Sequence, residues 1–73
     1  MQKYTYGVHK KSGYIQRFVR GNEVSQGFLY AYNGQWNDEE YPDITRKDCR
    51  PIHKDVVNFF IADGGYNNEG LIQ

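Results

Sequence analysis

Apolar and polar residues alternate with a period of two through the first half of the chain and change to a helical spacing after Pro42. A period of two marks strands, because successive side chains point to opposite faces of a pleated ribbon. Residues 3–9, 14–20, 27–32 and 35–38 are therefore predicted strands, rich in Tyr, Phe, Val, Ile and Trp, the residue types that fill half-buried pleated surfaces. The stretches KKSG, GNEVSQ and NG separate them, and links this short make the joined strands antiparallel. Asn33-Gly34 predicts a two-residue type I′ turn, which needs positive φ at both positions, and so a hairpin between the third and fourth strands.

Beyond Pro42, Ile52, Val56, Phe59 and Phe60 recur at intervals of four, three and one, which places them on one helical stripe. Thr45 and Asp48 have capping-box spacing, but a helix starting there would carry Pro51 past its first turn, where the missing N–H removes a hydrogen bond. The main helix is predicted from about Pro51, led in by Asp48 or a preceding turn. It ends at ADGG, where Gly64 takes the left-handed conformation without a Cβ penalty. The result is an α+β domain over residues 1–65, a small antiparallel sheet of three to four strands followed by one C-terminal helix packed on one face. An SH3-like small barrel with a terminal helix is the alternative, since short curved strands also close on themselves. Residues 66–73, YNNEGLIQ, read as a flexible C-terminal tail, with Leu71 and Ile72 able to dock on an edge.

Sorting the strands by parity gives one set with Tyr4, Tyr6 and Val8, with Tyr14, Gln16 and Phe18, and with Phe28, Tyr30 and Tyr32. The other holds Thr5 and Gly7, Ile15, Arg17 and Val19, and Leu29 and Ala31. Both sets contain apolar groups, whereas a single helix with a single stripe covers one face of a sheet. If the helix takes the aromatic face, Ile15, Val19, Leu29 and Ala31 need a roof from the tail or from loop 39–47. If it takes the aliphatic face, a tyrosine-rich platform is left open. Tyrosine suits recognition, since its ring gives contact area while its hydroxyl stays hydrated. In a chain with two leucines the rings must also build the core.

Composition narrows the classes. Seventy-three residues make one domain, too small to enclose layered catalytic machinery. The single cysteine, Cys49, excludes an internal disulfide and fits a reducing compartment, so a cytoplasmic location is expected. No apolar run has the length of a membrane span or of a signal-peptide core. Nine basic and nine acidic side chains cancel, but they are segregated: Lys3, Lys10, Lys11, Arg17 and Arg20 lie in residues 1–20 with no acid, and Glu23, Asp38, Glu39, Glu40 and Asp43 lie in residues 21–44 with no base. Facing one another, the two groups would help fix the fold.

Chemical motifs are thin. Cys49 and His53 are four apart, but a structural zinc site needs four ligands and His9 supplies the only other imidazole. The acidic NDEEYPD lacks the ligand spacing and internal glycine of a calcium loop, and the glycine-rich stretches lack a phosphate cradle. No catalytic residue, metal ligand or cofactor is nominated, and the chain is expected not to be an enzyme. Two functions remain. The first is a protein-binding or self-associating module, an inhibitor, adaptor or homodimer, using Tyr4, Tyr6, Tyr30 and Tyr32 with Trp36 at the hairpin end. The second is nucleic-acid binding, with bases stacked on exposed rings and Lys3, Lys10, Lys11, Arg17 and Arg20 on phosphates.

Overall fold

The computed structural model describes residues 3–72. Within them the chain forms β1 (Tyr4–His9), β2 (Ile15–Val19), β3 (Val24–Ser25), β4 (Phe28–Leu29), β5 (Trp36–Asn37), β6 (Tyr41–Thr45), β7 (Cys49–Pro51) and α1 (Lys54–Asp63), with 3-10 turns at Arg46–Asp48 and Glu69–Leu71. Five strands make one sheet in the order β5-β4-β2-β1-β7, and β3 and β6 make a separate ribbon. All pairings are antiparallel. The α+β class holds, and the sheet is open, with β5 and β7 as edges, rather than closed into a barrel. The strands β3, β6 and β7 are additional to those read from sequence; each is short or contains proline, so none shows a clean alternation.

Register decides which parities share a face. Tyr4, Tyr6 and Val8 of β1 lie opposite Val19, Arg17 and Ile15 of β2, whereas Gly7 lies opposite Gln16, which in turn pairs with Phe28. One face of the sheet is therefore largely aliphatic at its centre, and α1 lies on it. Val57 packs with Val8, Ile15 and Leu29 to form the buried cluster, ringed by Tyr6, Trp36, Ile52, Phe60, Tyr66 and Leu71.

The helix starts later than the sequence suggested, because Pro51 ends β7 opposite Gly7 and the chain turns only at His53. That residue caps the helix, its Nδ1 accepting from the Asp55 N–H at 3.1 Å. The helix is also rotated: Val57 and Phe60 face inward, while Val56 is 40% and Phe59 63% exposed. Both triplets, Val56-Phe59-Phe60 and Val57-Phe60-Ile61, satisfy helical spacing, so the pattern alone was degenerate. Thr45 and Asp48 do meet, with the Asp48 carboxylate accepting from the Thr45 N–H at 3.2 Å, but they cap the short 3-10 turn rather than the main helix. Gly64 ends α1 in the left-handed conformation expected of it, with φ of 84°.

The second face receives its own cover. The β3–β6 ribbon folds across part of it, burying Phe18 and joining Ser25 to Gln16 through a 2.7 Å hydrogen bond. Arg46 pins the ribbon down: its guanidinium sits 4.9 Å over the Phe18 ring and donates to Asn22 O, Val19 O and Thr5 Oγ1. Residues 66–72, expected as a tail, are tied to the sheet. The Tyr66 hydroxyl accepts from Ile15 N–H at 3.0 Å and donates to Leu29 O at 2.6 Å, Asn68 Nδ2 donates to Ser12 O, and Arg50 donates to Leu71 O.

Candidate functional site

Between the ribbon and the β4–β5 hairpin, the second face stays open as a groove of about 450 Å³, within the range of ligand pockets. Its rings come from separate elements: Tyr14 just before β2, Phe28 from β4, Tyr30 and Tyr32 from the hairpin loop, and Tyr41 from β6. Ile44 at the far end of β6, with His9 and Ser12, closes the other end.

The hairpin is positioned by a four-residue loop, not the predicted two-residue turn. Tyr30 N–H donates to Gln35 O and Gly34 N–H donates to Tyr30 O. Only Gly34 takes positive φ there, at 68°, and Asn33 instead uses its Oδ1 to accept from Gln35 N–H. The longer loop carries Tyr32 out to 78% exposure. The Tyr66 N–H donates to Ala31 O, so the C-terminal segment buttresses the loop from behind.

Phe28 forms the base of the groove. The rings of Tyr14, Tyr30 and Tyr41 stand around it at 5.4, 4.9 and 5.6 Å, inclined by 67°, 71° and 54°. Tyr32 continues the series, 5.4 Å from Tyr30. Inclined rings leave notches between their faces, and edge-to-face contacts with Phe28 hold Tyr14 and Tyr30. Asn37 links two of the phenols, its Nδ2 donating to the Tyr30 hydroxyl at 2.9 Å and its Oδ1 accepting from the Tyr41 hydroxyl at 3.0 Å. Partial burial, then the Glu39 carboxylate, push the Tyr41 phenol above its ordinary range.

Charge is uneven along the groove. Beside Tyr41 at one end the Glu39 carboxylate acts on the phenol, while Glu40 accepts from Gln26 Nε2 at 3.2 Å. At the other end, His9 and Ile44 adjoin a cluster containing Lys10, Lys11 and Lys47 with Asp43 and Asp48. Hydrogen bonding from the Thr45 backbone holds the Asp48 carboxyl below the usual range.

The sequence-selected residues divide between the two faces. Tyr30 and Tyr32 line the groove. Tyr4, Tyr6 and Trp36 lie on the helix side, where Tyr6 stacks on Trp36 with centroids 5.8 Å apart. There the Arg17 guanidinium sits 4.6 Å from the Tyr4 centroid and 4.7 Å from that of Trp36, and pairs with Asp38. One member of the basic set thus meets one member of the acidic set to fix the fold. Lys3 and Arg20 lie at the opposite end of the β1–β2 hairpin from Lys10 and Lys11, so the five basic residues form no single strip. Tyr14, Phe28 and Tyr41 were missed as site residues. Tyr14 and Phe28 sit on the same parity as Tyr30 and were visible in that sense; Tyr41 belongs to a strand the sequence did not reveal.

The remaining chemical candidates are dispersed. Cys49 is buried in β7, its thiol pushed up to about 11 chiefly by burial, while His53 caps the helix. The His9 Nδ1 lies 2.8 Å from Ser12 Oγ, but this contact closes the β1–β2 turn, where Ser12 Oγ also accepts from Tyr14 N–H. Among the described residues no helix is long and apolar enough to cross a membrane, and no three His, Cys, Asp or Glu side chains are grouped to hold a metal ion. Neither a family model, nor a curated protein, nor a solved structure matches the chain.

Proposed function

We propose that the chain is a non-enzymatic binding module that engages a protein partner through the tyrosine-lined groove. The observation that carries this reading is the open row of inclined rings opposite the helix, with Tyr32 78% exposed, above Phe59 at 63%. An apolar concavity rimmed by hydroxyls and charges is the surface type that marks recognition sites. The competing apolar feature, Phe59 with Val56, is convex and sits beside Asp55 and Asp63 on the helix, so it offers no enclosed contact.

The nucleic-acid reading has less support. Arg17 is committed to Tyr4, Trp36 and Asp38, and the Glu39 carboxylate acting on Tyr41 repels a phosphodiester at that end of the groove. The test is affinity capture from the native host with the full chain, run beside a Tyr30→Ala/Tyr32→Ala variant and a Phe59→Ser variant, with sedimentation to register self-association. Partners, or a second copy, should be retained by Phe59→Ser and lost by the groove variant. The same proteins held by all three chains would overturn the reading, as would salt-sensitive oligonucleotide binding that persists without the tyrosines.

A further inference from the structure

We infer that the occupant of the groove is an extended, proline-bearing peptide segment carrying a basic side chain at one end, which rests on the binding role proposed above.

The groove's shape comes first. Continuing the Gln16–Phe28 register sets Tyr14 across from Tyr30, with Phe28 between them at the base. Rings inclined at 67° and 71° to that base make a wedge, not the stacked platform on which successive nucleobases lie. A pyrrolidine or short aliphatic side chain fits a wedge between ring faces. A polyproline II segment presents such groups on a preformed backbone, so little conformational freedom is lost on docking.

The hydrogen bonds point the same way. The Glu39 N–H donates to Asn37 Oδ1 at 2.9 Å, which fixes that atom as the acceptor and Asn37 Nδ2 as the donor. The Tyr30 hydroxyl therefore accepts from Asn37, and its own hydrogen has no acceptor among the described residues. The groove thus offers a donor to its occupant. A proline-bearing backbone is short of N–H groups and carries solvated carbonyls, the matching acceptors.

Charge sets direction. The Glu39 carboxylate, which acts on the Tyr41 phenol, attracts a cation at that end, while beyond His9 Lys10, Lys11 and Lys47 outnumber Asp43 and Asp48 and disfavour one. A basic residue near the acidic end would orient the segment and raise its rate of encounter.

The test is an NMR titration of the full, isotopically labelled chain with a capped decapeptide of alternating proline and leucine and one terminal arginine, to roughly millimolar concentration, the weak limit of specific recognition. Shifts should concentrate at Tyr14, Phe28, Tyr30 and Tyr41. Replacing the prolines by glycine should weaken binding by about tenfold, and replacing the arginine by glutamate by about threefold, an effect that fades as salt rises. Tyr30→Phe keeps the ring and removes the donor, and should weaken binding by about fivefold with the spectrum otherwise preserved. No groove shifts, equal binding of the glycine or glutamate peptides, or a Tyr30→Phe variant as tight as the parent each overturn this occupant. Groove-dependent capture of a host protein with no response to the peptide would leave the binding role standing and remove only the peptide class.

Discussion

Gly7 shows how closely the edge of the sheet is built. It pairs with Pro51 of β7, and a Cβ placed on it would lie 2.9 Å from the Cys49 Cβ and 3.2 Å from the Arg50 carbonyl oxygen. Neither neighbour is the free end of a flexible side chain, so a methyl group there forces β7 away from β1. The Gly7→Ala substitution is expected to lower stability by about 1–3 kcal/mol, the range for overpacked sites, as measured by urea denaturation. An unchanged midpoint would mean that β7 is not held this tightly. Arg17 makes a different point at the same scale. A guanidinium between two rings and paired with a carboxylate is a packing group as much as a charge, which is why a cation selected from sequence as a phosphate contact is used inside the fold.

Between elements, the shortest ladder is that of β2 with β4, which consists of the single pair Gln16↔Phe28. The Tyr66 hydroxyl bridges the next gap by accepting from Ile15 N–H and donating to Leu29 O, so a side chain from the C-terminal segment supplies what the ladder lacks. Tyr66→Phe leaves both backbone groups without that partner in a buried setting and is expected to destabilise by about 1–3 kcal/mol. Hydrogen exchange at the Ile15 amide should accelerate more than at other β2 amides, and uniform acceleration would argue against a local bridge. This junction also marks the limit of sequence reading. Strands β1, β2, β4 and β5 and the helix were legible because alternation and 3.6-residue spacing are local signals. Faces were not, since Tyr6 and Tyr30 have the same parity within their own strands and are separated only by the β1–β2–β4 register. The tail that reads as polar and loose acquires its place through Tyr66, Asn68 and Leu71, whose partners lie more than twenty residues away in the chain.

At the scale of the whole molecule, two covers share one sheet: α1 closes the aliphatic face, and the β3–β6 ribbon closes half of the other, leaving the groove. Two acids are withdrawn from solvent, Cys49 buried in β7 and Tyr66 partly buried against the core. Burial, as the leading cause, pushes the Cys49 thiol up to about 11 and the Tyr66 phenol up to about 12. In the unfolded chain the same groups ionise near their ordinary values of roughly 8.5 and 10. Above those values the unfolded state has lost protons that the native state still binds, so stability must decline as pH rises. The decline should begin near pH 9 with Cys49, continue through pH 10–12 with Tyr66, and be absent below pH 8 for these two groups. Urea midpoints measured from pH 7 to 11 should fall accordingly. Cys49→Ala should flatten the early part of that fall, while Tyr66→Phe, less stable throughout, should flatten the later part. A midpoint that holds constant to pH 11 in the parent chain would show that both acids ionise freely in the native state, and that the covers over this sheet admit water.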